Sequence, residues 1–144
     1  MLDTTSFHTA QENMHYDETQ FSLIQPDSNH LFFRFYPWKS PGLTQSEKRP
    51  LPENLLSFDH SYRLTGGGIV FHCPGDIVFS HAAPIKHPLL PHKLKDRCLW
   101  MAKSIQAALI KAGIPTDLAA DLPEPQSESN IMFCNAYHNP YECL

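Results

Sequence analysis

Between Arg63 and Ser80 the chain reads RLTGGGIVFHCPGDIVFS, and the three consecutive glycines in it interrupt what is otherwise strand-forming sequence. Glycine inside a strand weakens it and marks a bulge, a turn or the close approach of a ligand or second backbone. Three together can adopt positive φ and aim successive N–H groups at one oxygen. A tight turn and a ligand loop both satisfy this pattern. It is not a phosphate-binding P-loop, because no Lys follows at the required spacing. Nor is it a dinucleotide fingerprint, because the order is strand to strand and not strand to helix. Ile69–His72 and Asp76–Ala82 read as two strands joined by a hairpin-like turn at Cys73-Pro74-Gly75.

The 144 residues are enough for one domain with a real core, and 42% hydrophobic with 18% charged residues is a globular composition. A net charge of −4 with no basic stripe excludes a nucleic-acid groove. No apolar run approaches the ~18 residues that span a membrane. The start, MLDTTSFHTAQEN, lacks the apolar stretch of a signal peptide. Cys73, Cys98, Cys134 and Cys143 follow no framework spacing and read as reduced thiols of a cytoplasmic protein.

Met14, Phe21 and Ile24 at helical spacing predict a helix over Gln11–Gln25. The aromatic run Leu31–Tyr36 predicts a buried strand closed by Pro37, and Trp38–Ser57 reads as a polar loop. The clearest helix is Leu94–Ala112, with an apolar stripe of Leu94, Cys98, Met101, Ile105, Leu109 and Ala112 before Gly113 and Pro115. Pro115–Asn130 reads as an acidic loop, followed by short apolar pieces at Ile131–Cys134 and Tyr141–Leu144. The pattern is α+β: one domain over residues 1–144, a mixed sheet flanked by helices.

Arg63-Leu64-Thr65-Gly66-Gly67-Gly68-Ile69-Val70-Phe71-His72, then Pro74-Gly75-Asp76 and Phe79-Ser80, resembles the signature loop of the lipoate–protein ligase and octanoyltransferase family. Glu12-Asn13-Met14 with Asp17-Glu18 resembles that family's first helix, and Phe33–Trp38 its first strand and Trp turn. Met132–Cys134 through Pro140-Tyr141-Glu142 resembles the segment before its catalytic lysine. The resemblance implies a catalytic domain like that of biotin and lipoate protein ligases. It also implies a glycine loop lining an acyl tunnel, and transfer of a lipoyl or octanoyl group to a lysine of a carrier domain. The implied carriers belong to 2-oxoacid dehydrogenases or the glycine-cleavage system. Ligases of the family use lipoate or octanoate with ATP and Mg²⁺ and pass through an acyl-adenylate; transferases hold the acyl group as a cysteine thioester.

Carried onto this sequence, the resemblance makes Arg63, Thr65, Gly66, Gly67, Gly68, His72 and Asp76 candidate substrate-binding residues. Cys134, in the pattern Cys, a few residues, Pro-Tyr-Glu, is the candidate nucleophile, since a thiolate both accepts and releases an acyl group well. Cys134, His138 and Cys143, with His72 and Cys73, are too loosely spaced for a zinc site, and no metal is assigned. Two departures stand out. Gly42–Lys48 lacks the Gly-Tyr pair of the family's pocket-wall strand, and the sequence ends at Leu144, before the family's lysine. The expectation is the N-terminal part of a ligase-like domain, either a fragment of a longer enzyme or a naturally truncated relative with impaired catalysis. The alternatives are a non-catalytic acyl- or carrier-binding remnant and a transferase working through Cys134.

Overall fold

The computed structural model describes residues 2–4, 8–47 and 49–122. These divide after Pro84 into two compact units.

The first unit is built from β1 (Leu2–Thr4), α1 (Ala10–Ser22), β2 (Phe32–Tyr36), β3 (Gly42–Ser46), β4 (Asp59–Arg63), β5 (Val70–His72) and β6 (Val78–Ala82). Where the sequence predicts one mixed sheet, the strands form two three-stranded sheets, ordered β1-β2-β6 and β4-β3-β5. Each is mixed: β2 runs parallel to β1 and antiparallel to β6, and β3 runs parallel to β4 and antiparallel to β5. The strands read as a hairpin therefore do not pair; Pro74-Gly75 carries the chain from one sheet to the other.

Helix α1 begins where the sequence TAQE allows a capping box. The Thr9 hydroxyl accepts from the Glu12 N–H at 3.3 Å, and the Glu12 carboxylate accepts from the Thr9 N–H at 2.8 Å. A second carboxylate, Asp59 of β4, takes the Ala10 N–H at 2.8 Å and ties the helix start to the second sheet. Alternation along β2 turns Phe32, Arg34 and Tyr36 into the buried face. Phe33 and Phe35 stand on the opposite face, where they meet Phe79 of β6 at centroid distances of 5.9 and 6.4 Å.

The polar loop expected over Trp38–Ser57 contains β3, the central strand of the second sheet, with all five residues buried. On one face Leu43 packs with Leu51 and Ile69. Gly42 lies against the Trp38 ring, which is itself fully buried with Ala10 and Tyr36. A Cβ at Gly42 would stand 3.0 Å from the Asp59 carbonyl oxygen and 3.1 Å from the Trp38 ring. Gly42→Ala is thus expected to destabilise the chain by about 1–3 kcal/mol through overpacking. Chemical denaturation checks this, and an unchanged midpoint would mean that β3 and Trp38 are not in contact.

The second unit holds α2 (Leu94–Lys111). Cys98, Met101, Ile105 and Leu109 of the expected stripe are half-buried and Ala102 is buried, but Leu94 and Ala112, at its two ends, are exposed. Arg97 donates to the carbonyls of Pro91, at 2.6 Å, and of Ile85. Gln106 reaches the Thr116 carbonyl at 3.1 Å. Among the described residues no helix is long and apolar enough to cross a membrane.

Candidate functional site

The register of the second sheet assembles one polar face. Thr44 lies opposite Val70 of β5 and Ser61 of β4, and Gly42 lies opposite His72. Because every second residue shares a face, Thr44, Arg63, Val70 and His72 all point to the same side. Their side chains form a chain of contacts. Arg63 Nη1 donates to Thr44 Oγ1 at 3.2 Å, and Thr44 Oγ1 is 3.0 Å from His72 Nε2. The His72 ring lies flat on Trp38, with centroids 4.1 Å apart and planes 12° off parallel.

This face closes one side of a cavity of about 330 Å³. Helix α1 supplies Met14, Asp17, Glu18 and Phe21 to its lining, and the buried side of the first sheet supplies Phe32, Tyr36, Val78, Ser80 and Ala82. Arg63, Leu64, Thr65 and His72 complete the side nearest the glycine loop. The site is thus an apolar hollow with a guanidinium at one margin, and its volume falls at the small end of the ~300–1,000 Å³ typical of small-molecule sites.

Gly66, Gly67 and Gly68 are not among the lining residues; the first two are exposed and the third half-buried. Two of their carbonyls face the arginine, with Arg63 Nη2 donating to Gly66 O at 3.0 Å and to Gly68 O at 2.6 Å. A trans peptide sets C=O and the next N–H in opposite directions, so the Gly67 N–H points away from the guanidinium. At that peptide the loop therefore turns its carbonyl, and not its N–H, toward Arg63. Gly67 has φ 99°, a conformation that side-chain-bearing residues rarely adopt, whereas a Cβ on Gly66 would meet nothing within 4 Å.

Asp76 also stands apart from the lining. Its carboxylate accepts from the Cys73 N–H at 2.8 Å and its own N–H donates to the Cys73 carbonyl at 3.1 Å, which closes the Pro74-Gly75 turn. Cys134 lies outside the described residues. Of the sequence candidates, the structure brings Arg63, Thr65 and His72 to one cavity.

Burial pushes the His72 pKa down to about 4, with the Arg63 charge adding to the fall and Asp76 opposing it, so the ring is neutral at pH 7. An unfolded chain takes up this proton near pH 6.5, the folded chain only near 4. Acidification through that window is therefore expected to favour unfolding by about 3 kcal/mol. Comparing the pH dependence of denaturation with that of His72→Gln isolates the effect; identical slopes would mean that His72 is solvated and charged.

The chain is similar to octanoyltransferase LipM of Moorella thermoacetica. The two are 25% identical over 141 residues, covering 93% of this chain and 51% of that protein. The chain thus spans about half the length of this relative. No family model and no solved structure matches it.

Sequence reasoning assigned no role to Thr44 or Arg34. Thr44 lies in a segment with no hydrophobic signal. Arg34 does carry a signal, a lone charge on the inward face of an aromatic strand, which demands a buried partner. That partner is Asp17 at 3.0 Å.

Proposed function

We propose that the first unit binds a medium-length acyl group, lipoyl or octanoyl, as part of a protein that transfers it to the lysine of a carrier domain. The cavity carries the reading: an apolar hollow of about 330 Å³ with Arg63 at its margin suits an alkyl chain ending in a carboxylate or carbonyl. Arg63 holds that oxygen, with Thr44 and the neutral His72 fixing the guanidinium, and the chain lies along Phe32, Met14 and Val78. The similarity to an octanoyltransferase adds support and favours transfer from an acyl thioester, with Cys134 as its acceptor, over ATP- and Mg²⁺-dependent ligation. Carrier domains of 2-oxoacid dehydrogenases or of the glycine-cleavage system are the proposed acceptors.

The test is calorimetric titration of the chain with octanoate and with lipoate. Saturable one-site binding at micromolar to low millimolar acid is the expected result. No heat beyond dilution for either acid would end the acyl-binding reading.

A further inference from the structure

The cavity has a second polar wall, formed by Asp17 of α1, Tyr36 of β2 and Ser80 of β6. Tyr36 Oη donates to Asp17 Oδ2 at 3.2 Å, Ser80 Oγ donates to Asp17 Oδ1 at 2.9 Å, and Arg34 Nη1 donates to the same Oδ1 at 3.0 Å. Each hydroxyl has one proton, and both are directed at the carboxylate. What the wall turns to the cavity is then lone pairs alone: those of the two hydroxyls and the remaining acceptor position on Asp17 Oδ2.

The arrangement is rigid. Arg34 is fully buried, its guanidinium lies 4.4 Å from the Tyr16 ring and 4.0 Å from the Tyr36 ring, and Asn13 Oδ1 accepts from it at 2.7 Å. Burial, and next the neighbouring Asp17 charge, raise the Tyr36 pKa, so the phenol keeps its proton. The wall cannot re-orient to offer a donor without breaking this set.

A saturated alkyl end placed here leaves acceptors dehydrated and unpaired, which is unfavourable, whereas an end bearing O–H or S–H satisfies them. We infer that the wall of Asp17, Tyr36 and Ser80 reads the far end of the acyl chain, and selects a chain whose end carries a hydrogen-bond donor over a plain saturated one. This rests on the acyl-binding reading above, with the acid group at Arg63 and the tail at Asp17. A hydroxyl or thiol at the tail of the acyl chain is the chemistry it takes.

The experiment compares octanoate with 8-hydroxyoctanoate by calorimetry on the unmodified chain, then on Ser80→Ala and Asp17→Asn, with thermal melts confirming that each variant is folded. A hydrogen bond to an ionised group predicts that 8-hydroxyoctanoate binds roughly ten- to a hundredfold more tightly. The preference should shrink in Ser80→Ala and vanish in Asp17→Asn. Equal affinities in the unmodified chain overturn the inference and leave the acyl-binding reading standing. So does a preference that both variants retain. If Asp17→Asn does not fold, Ser80→Ala and the unmodified chain decide. Binding of neither acid overturns both readings together.

Discussion

Arg34→Met is expected to lower the unfolding free energy by about 3–5 kcal/mol, because it leaves the Asp17 carboxylate in a largely buried site without its cation. Arg34 has no exposed surface, and its hydrogen bonds run to Asp17 and to the Asn13 side chain and carbonyl. It also stacks between Tyr16 and Tyr36, so truncation removes packing as well as charge. For a domain whose total stability is of the order of 5–15 kcal/mol, this is a large share. The double variant Arg34→Met, Asp17→Leu is expected to recover at least half of the loss, since replacing both members of a buried pair by apolar groups is often neutral. Urea denaturation of the native chain and the two variants gives the cycle. A loss under about 1 kcal/mol for the single variant would mean that water reaches Asp17 freely and that the network does not anchor α1 on β2.

Arg34 also shows how far the sequence could be read. Elements with a periodic apolar signal are found close to where they are expected. Helix α1 covers Ala10–Ser22 against an expected Gln11–Gln25, β2 covers Phe32–Tyr36 against Leu31–Tyr36, and α2 covers Leu94–Lys111 against Leu94–Ala112. The strand at the centre of the second sheet has no such signal. In GLTQS the buried polar side chains of Thr44 and Gln45 are accommodated by hydrogen bonds, Thr44 to Arg63 and His72 and Gln45 to the Ser46 N–H. Hydrophobic periodicity detects burial compensated by apolar contact, and is blind to burial compensated by hydrogen bonds. Strand β4, DHSYR, escapes for a related reason: among the described strands it lies at the edge of its sheet, and most of its residues are half-buried. Missing β3 removes the partner of β5, and so makes β5 and β6 look like a hairpin.

The site was legible in a corresponding way. Arg63, Thr65 and His72 stand in a recognisable local motif and do reach the cavity. The roles of the glycines depend on which direction each peptide faces, and residue type does not encode that. Arg63 Nη2, by taking the Gly66 and Gly68 carbonyls, sets that direction. Asp17 and Ser80 are 63 positions apart in sequence, and only the pairing of Arg34 with Ser80 across β2 and β6 brings the hydroxyl to the carboxylate.

Arg63→Gln is expected to weaken octanoate binding about a hundredfold while lowering stability far less. A guanidinium hydrogen-bonded to a carboxylate is worth roughly 1.5–3 kcal/mol, and a neutral amide retains little of it. The stability loss stays small, near 1 kcal/mol, because the arginine is half-buried and its carbonyl partners Gly66 and Gly68 are reachable by water. Arg63→Lys should not restore binding: one ammonium cannot bridge Thr44, two carbonyls and a ligand as the planar fork does. Gly66→Ala supplies the contrast, since its Cβ would enter open space. If the arginine and not the glycine amides holds the acid group, Gly66→Ala binds octanoate as the native chain does. Native-like binding in Arg63→Gln would transfer the acid group from the guanidinium to the glycine backbone, whose N–H groups Gly66→Ala leaves in place. That result would require the loop to turn its N–H groups inward when ligand binds.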